Sequence, residues 1–159
     1  MRLYLFRDFI YETKSTPSEV LDMFDGRAKK IKENGIIYSV EKTKGSWKVV
    51  ATDNGKSIGR IYIQEIKPNG KGGYKAQLRR LNVSDTHRGK GIGRRLLEIA
   101  IDSFKDLDLY GHASPNRNKD MDDDNFEEYR ERLKKFYSSV GLKSVGPGHR
   151  VEKSSTKNI

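Results

Sequence analysis

The most informative stretch of this sequence is LRRLNVSDTHRGKGIGRRLLEIAIDSF, residues 78–104. It opens with an apolar alternation typical of a strand, passes through a turn with glycine at positions 89, 91 and 93, and ends in a helical pattern. Arginines stand on both sides of the glycines. This junction indicates either a backbone turn too tight for a Cβ or the close approach of a large anion.

Three well-known phosphate loops do not match this turn. The dinucleotide fingerprint G-x-G-x-x-G needs glycine three positions after Gly91, where Arg94 stands. No G-x-x-x-x-G-K-[ST] string occurs, and the chain is too short for a kinase. What remains is Arg88-x-x-Gly91-x-Gly93 at the start of a helix.

The physics of this string favours a pyrophosphate. Glycines let successive N–H groups approach an anion, and a helix N-terminus adds partial positive charge. Full charges come from Arg88, Lys90, Arg94 and Arg95. The alternative is a glycine-rich turn carrying solvated arginines, because the string by itself is short.

Length and composition indicate one globular domain, which we place at residues 1–153, followed by a disordered tail at 154–159. Hydrophobic and charged residues each make up 34% of the 159 residues. No apolar run reaches the length of a membrane span, and MRLYLFRDFI is interrupted by charge too early for a signal peptide. The absence of cysteine excludes disulfides and thiolate nucleophiles. We therefore expect a cytoplasmic protein without a membrane partner.

The net charge of +10 attracts polyanions such as nucleic acid, although a basic balance also serves solubility. Acidic residues are concentrated in DMDDDNFEE, residues 120–128. A calcium loop is disfavoured there because Asn125 occupies the position that requires glycine. The run suits a helix start, and it could also attract a cationic acceptor.

The remaining periodicity predicts a mixed α+β domain with helices packed on a central sheet. A helix is expected between the capping residues Thr16 and Pro17 and the stop at Gly35, with a break possible at Gly26. A second helix is expected over 124–141. Strands are predicted at 2–10, 36–42, 46–53, 56–66, 74–83, 107–113 and 149–153.

Two motifs resemble the GNAT superfamily of N-acetyltransferases. LNVSDTHRGKGIGRRLLEIA resembles its acyl-coenzyme A motif, a strand ending in Val, four residues, then Arg/Gln-x-x-Gly-x-Gly/Ala and a helix. Tyr137-x-x-x-Gly141-Leu142 is similar to its second signature, Tyr-x-x-x-Gly-Phe. The resemblance covers roughly residues 50–145.

The resemblance implies a mostly antiparallel sheet with splayed strands at a cofactor cleft, and an N-acetyltransferase that uses acetyl-coenzyme A (acetyl-CoA) and no metal. The acetyl group would move to a primary amine by direct attack in a ternary complex. Tyr137 matches the proton donor to the departing thiolate. The cofactor contacts implied are the backbone of Leu81, Asn82 and Val83 for the pantetheine arm, Arg88, Gly89, Lys90, Gly91, Ile92, Gly93 and Arg94 for the pyrophosphate, and Asn116 as a further candidate.

The general base and the acceptor are left open. Some relatives place a glutamate near the position of Lys75, so this chain lacks that solution. Candidates are His112, Glu65, or an acidic residue of the 120–128 run acting through water. The acceptor is expected to be a small-molecule amine or a protein lysine or N-terminus. Possible partners are a second copy of the chain and an acidic protein or nucleic acid bound at the basic surface. The alternatives to an enzyme are a nucleic-acid-binding module and a catalytically inactive coenzyme A sensor of the same fold.

Overall fold

The computed structural model describes residues 18–112, 123–144 and 150–153. Its helices are α1 (Ser18–Asp22), α2 (Ile92–Ser103) and α3 (Asp123–Ser139), with a 3-10 turn at Asp85–His87. Its strands are β1 (Lys29–Glu33), β2 (Ile36–Thr43), β3 (Ser46–Asp53), β4 (Lys56–Pro68), β5 (Tyr74–Val83), β6 (Asp108–His112), β7 (Leu142–Ser144) and β8 (Arg150–Lys153). Within these residues no helix combines the length and apolarity that crossing a bilayer requires.

The strands form one sheet in the order β1-β2-β3-β4-β5-β6-β8-β7. Every neighbouring pair is antiparallel except β5 and β6, which are parallel. A parallel pair needs a crossover, and α2 supplies it between β5 and β6. The predicted α+β class with a mostly antiparallel sheet is confirmed.

Two tight turns align the first strands. Asn34-Gly35 and Asn54-Gly55 both have positive φ at each residue, which suits the right-handed twist of a two-residue hairpin. The hairpin predicted at Asp53-Asn54-Gly55 is therefore confirmed. Together with the turn at residues 44–45 between β2 and β3, these two turns keep β1 to β4 in a continuous antiparallel meander.

The helix predicted between Thr16 and Gly35 is wrong over most of its length. The described helix ends at Asp22, and Gly26 adopts a φ of +96°. Residues 29–33 form an edge strand in which Ile31 pairs with Tyr38 of β2. Pairing with β2 overrides the helical spacing of the apolar residues, because local propensity is a weak prior.

Strand β7 was not predicted, since three residues carry too little periodicity to detect. The strand predicted at 2–10 and the tail at 154–159 lie outside the described residues.

The core lies between α2 and one face of the sheet. Buried residues recur along α2 at helical spacing, and the ring of Phe104, just beyond its end, stands 5.5 Å from that of Trp47 on β3. The stripe on α2 consists of Ile92, Leu96, Leu97, Ile99 and Ala100. It faces buried strand residues such as Val49, Ile61 and Ile63. This packing brings the start of α2 beside the end of β5, where the glycine turn lies.

Candidate active site

Strands β5 and β6 separate after a short pairing. Their ladder comprises Lys75 with Asp108, Ala76 with Leu109 and Gln77 with Tyr110. Beyond it β5 stays paired with β4 as far as Val83, whereas β6 pairs with β8. Residues 78–83 thus have no described strand on the β6 side, which leaves an edge roughly 20 Å long at about 3.3 Å per residue. The splay implied by the resemblance is confirmed.

Gly111 marks the beginning of the separation. A Cβ at this position would lie 3.3 Å from the backbone oxygen of Leu78, which is tighter than most real Cβ contacts. Glycine therefore allows β6 to pass close to β5 at the split. One residue further, the backbone of His112 pairs with Arg150 of β8.

A β-bulge interrupts β5 within the free edge. Arg60 and Tyr62 of β4 pair with Asn82 and Arg79, so β5 holds one more residue than β4 over this interval. Arg80 lies within it with a φ of +57°. Bulges bend strands and redirect side chains, and they are frequent beside active sites. The bulge was not predicted from the sequence. The feature of the sequence that marks it is the Arg79-Arg80 pair, which breaks the alternation of apolar and polar residues in β5.

A second irregularity lies in β4 at Glu65, whose φ is +55°. Here β4 holds the extra residue, since Gln64 pairs with Gln77 and Lys67 with Lys75. The carboxylate of Glu65 lies 3.9 Å from a guanidinium nitrogen of Arg79. This candidate base is therefore beside a cation on the strand that forms the cleft edge.

The glycines of the turn have two different roles. Gly89 and Gly91 have φ values of +78° and +77°, and a Cβ on either would have no neighbour within 4 Å. Gly93 has ordinary helical geometry, and its Cβ would lie 3.4 Å from a methyl group of Val83. Backbone conformation thus requires the first two glycines, while the third keeps the space between the helix start and the strand end free.

The start of α2 is open to an anion. Its N-cap is Gly91, so no side-chain oxygen caps the first turn. The first N–H groups of an α-helix have no partner within the helix. They therefore point out of the helix end with the positive end of its dipole.

The cations expected around the turn have different surroundings. Arg88 is largely exposed, donates from Nε to the Val83 oxygen at 3.2 Å and lies 3.1 Å from Asp85. Lys90 is exposed. Arg94 donates to the backbone oxygen of Ser139 at 3.3 Å, which joins the start of α2 to the end of α3.

Arg95 was expected to add positive charge at the glycine turn, but its guanidinium lies elsewhere. Its guanidinium makes two hydrogen bonds to the carboxylate of Glu33 on β1, at 2.8 and 2.6 Å. These bonds lower the pKa of Glu33 and raise that of Arg95. Its charge is neutralised by Glu33. Successive side chains of a helix point in different directions, so Arg95 does not project to the same side of α2 as Arg94.

His87 anchors the turn to the rest of the sheet, and the sequence analysis missed it. Its Nε2 lies 3.0 Å from Asp53, at the end of β3, and its Nδ1 lies 2.8 Å from the hydroxyl of Thr86. The ring is mostly buried. The two partners are 34 residues apart in sequence, so no local pattern could have revealed the contact.

The second motif joins α3 to β7. Tyr137 is partly buried, packs against the core and has its ring centroid 5.6 Å from that of Phe136. Gly141 ends this segment with a φ of +95°, and Leu142 is fully buried at the start of β7. Glycine thus permits the left-handed turn that returns the chain to the sheet.

Some predicted residues cannot be compared with the structure. Asn116 and residues 120–122 lie outside the described residues. Within the described part of the chain, no group of three or more histidine, aspartate or glutamate side chains could hold a metal ion.

The family model for the acetyltransferase (GNAT) domain matches residues 44–142, more than half of the chain. This range includes the splayed strands, the glycine turn and both motifs. Together they define a domain of the acyl-CoA N-acyltransferase class. The chain belongs to the GNAT acetyltransferase family.

The chain is similar to several solved structures at low sequence identity. Arabidopsis thaliana Naa50, in complex with the bisubstrate analogue CoA-Ac-MVNAL, is 22% identical with a TM-score of 0.50, covering 68% of this chain and 72% of Naa50. An acyl-CoA N-acyltransferase from Pseudomonas aeruginosa is 17% identical with a TM-score of 0.49, covering 70% of each chain. YhbS from Escherichia coli, in complex with CoA, is 19% identical with a TM-score of 0.48, covering 67% of this chain and 57% of its own. No curated protein matches the sequence significantly.

Proposed function

We propose that this protein transfers the acetyl group of acetyl-CoA to a primary amine by direct attack of the amine on the thioester. The observation that carries the proposal is the free edge of β5 over residues 78–83, which leads to the turn at Arg88 and the uncapped start of α2. An extended edge followed by an anion site matches an elongated cofactor that carries a pyrophosphate.

The residues present fit acetyl-CoA. The backbone of Leu81 to Val83 has no described strand on its β6 side. It can hydrogen-bond the amides of the pantetheine arm in the manner of an added strand, with the Val83 oxygen already accepting one bond from Arg88 Nε. Space beside Gly89 and Gly91 lets their backbone approach the pyrophosphate, and Arg88, Lys90 and Arg94 provide its counter-charge. When bound, acetyl-CoA supplies an activated thioester and a thiolate leaving group.

The chain's own groups then have three tasks. A backbone N–H near Leu81 or Asn82 polarises the thioester carbonyl, because the bulge turns the edge at this point. The hydroxyl of Tyr137 donates a proton to the departing sulfur. The acceptor amine must lose a proton, and His112, Glu65, an acidic residue of the 120–128 run and ordered water remain predictions for that step.

Cofactor binding is tested by thermal unfolding. A ligand at one hundred times its dissociation constant that binds only folded protein adds about 2.7 kcal/mol of stability. We expect acetyl-CoA to raise the melting temperature more than an oligonucleotide in buffer of matched salt. A larger shift from the oligonucleotide would instead support a nucleic-acid-binding module, and a shift without thiol release on any amine would support a coenzyme A sensor.

The role of Tyr137 is tested by Tyr137→Phe, which removes one hydroxyl. Because general acid catalysis contributes on the order of 100-fold or more, we expect kcat to fall by about that factor with the KM for acetyl-CoA unchanged. Phe136→Leu is the matched control on the same helix, and it should retain most of kcat. Unchanged turnover in Tyr137→Phe would exclude Tyr137 as the proton donor.

A further inference from the structure

We propose that the acceptor carries an anionic group, a carboxylate or a phosphate, close to its amine, and that Arg80 with Arg79 binds this group at the bulge of β5. This inference rests on the proposed function and names its substrate class. It predicts discrimination against neutral and cationic amines.

Among the described residues, the apolar core that packs on α2 lies on one face of β5, and exposed polar side chains lie on the other. Ala76 and Leu78 are buried on the face that α2 covers. The alternation of a strand then places Gln77 and Arg79 on the opposite face. Since the apolar stripe of α2 closes one face, a hydrophilic acceptor reaches the split from the other.

The bulge concentrates positive charge on this approach. Without the extra residue, the position after Arg79 would return to the helix-covered face. With it, Arg79 and Arg80 are both exposed, two and three residues beyond the last β5–β6 pair at Gln77, or about 7 and 10 Å along the strand. Two neighbouring guanidinium groups thus stand where the acceptor would enter.

The backbone of Arg80 is unfavourable for a long side chain. A residue other than glycine at φ +57° costs about 1–2 kcal/mol, and glycine would adopt this conformation freely. Such outliers cluster at ligand sites, where the strain serves function. The strained position here holds a cation and lies within the cleft edge.

The charge of Arg80 is not neutralised by the described residues. Arg79 has a loose partner in Glu65 at 3.9 Å, and Arg80 makes no ion pair or side-chain hydrogen bond within the described part of the chain. Guanidinium groups bind carboxylates and phosphates through paired hydrogen bonds. This pair is also separate from the cofactor cations, which begin at Arg88, beyond the end of β5.

The test compares acceptors that differ only in charge. The probes are 2-aminoethyl phosphate against ethanolamine and β-alanine against β-alaninamide, with spermidine as a cationic amine, each followed by thiol release from acetyl-CoA. We expect kcat/KM to be at least about tenfold higher for the anionic member of each pair, which corresponds to 1.4 kcal/mol.

Variants assign the preference to Arg80. Arg80→Gln should remove at least most of this preference while changing the KM for acetyl-CoA less than about twofold. Arg80→Gly removes the same charge without backbone strain and should fold at least as well as the wild type. Arg60→Gln, an exposed arginine on the neighbouring strand, is the matched control and should keep the preference.

Any one of several results would overturn the inference. They are the absence of any preference for the anionic probes, an equal loss in Arg60→Gln, or a rise in the KM for acetyl-CoA in Arg80→Gly. Efficient acetylation of spermidine would reject this inference while leaving the proposed function intact. The proposed function itself fails if acetyl-CoA produces no thermal shift and no amine releases thiol.

Discussion

At the scale of single residues, Gly91 and Gly93 of the turn are expected to affect stability and cofactor binding differently. Gly91 needs its left-handed backbone, whereas Gly93 is helical and its Cβ would lie 3.4 Å from a methyl group of Val83. The same sequence pattern therefore contains one glycine required by backbone conformation and one at which a Cβ would make only an ordinary contact. Substitution by alanine distinguishes them.

We predict that Gly91→Ala lowers the free energy of unfolding by about 1–2 kcal/mol, because alanine resists positive φ. Gly93→Ala should stay within about 1 kcal/mol of the wild type, since alanine is the better helix former. It should nevertheless weaken acetyl-CoA binding at least about tenfold, because the new methyl group stands at the start of α2, where the proposed function places the pyrophosphate. Urea unfolding and titration with acetyl-CoA measure both quantities, and unchanged binding in Gly93→Ala would contradict the placement of the cofactor.

At the scale of elements, the ion pair of Glu33 and Arg95 joins the edge strand β1 to α2. The two groups are about one-third exposed, so solvent and salt screen the interaction. Arg95 lowers the pKa of Glu33 from its ordinary value of 4.5. The stabilisation is therefore complete above pH 4.5 and is lost as the pH falls through the lowered pKa.

We predict that Glu33→Gln is less stable than the wild type at pH 7 and that this difference disappears in acid, below the lowered pKa of Glu33. Urea unfolding at a series of pH values measures it. Glu41→Gln on β2 is the control, since its carboxylate lies 3.7 Å from a lysine nitrogen and lacks the paired bonds. A difference between Glu33→Gln and the wild type that persists unchanged in acid would contradict the assignment.

At the scale of the whole molecule, five of the 32 lysines and arginines behind the net charge of +10 lie where the proposed ligands are negative. Arg88, Lys90 and Arg94 surround the glycine turn, and Arg79 with Arg80 stands at the split. A positive field raises the local concentration of anions such as acetyl-CoA. Salt weakens the effect, since the screening length falls from about 10 Å at 0.1 M to about 3 Å at 1 M.

We predict that the KM for acetyl-CoA rises with potassium chloride between dilute buffer and molar salt, while kcat changes little. S-acetylpantetheine lacks the pyrophosphate and should show a smaller rise, which makes it the matched control. Steady-state kinetics over the salt series measures both. A KM for acetyl-CoA independent of salt would contradict the electrostatic account of cofactor binding.

By itself, the sequence determined the strands β2 to β6, the helices α2 and α3 and the two motifs, because periodicity, turn residues and glycine spacing are local properties. The tertiary structure alone decided the edge strand β1, the length of the free β5 edge, the bulge at Arg80 and the partners of Arg95 and His87. Each of these depends on contacts that local sequence does not specify. The segment around Ile31 forms a strand because it pairs with β2, and the Arg95 side chain binds Glu33 of β1 rather than the glycine turn. Local chemistry indicates the glycine turn, whereas only the assembled sheet shows that β5 ends in an edge without a described strand on its β6 side.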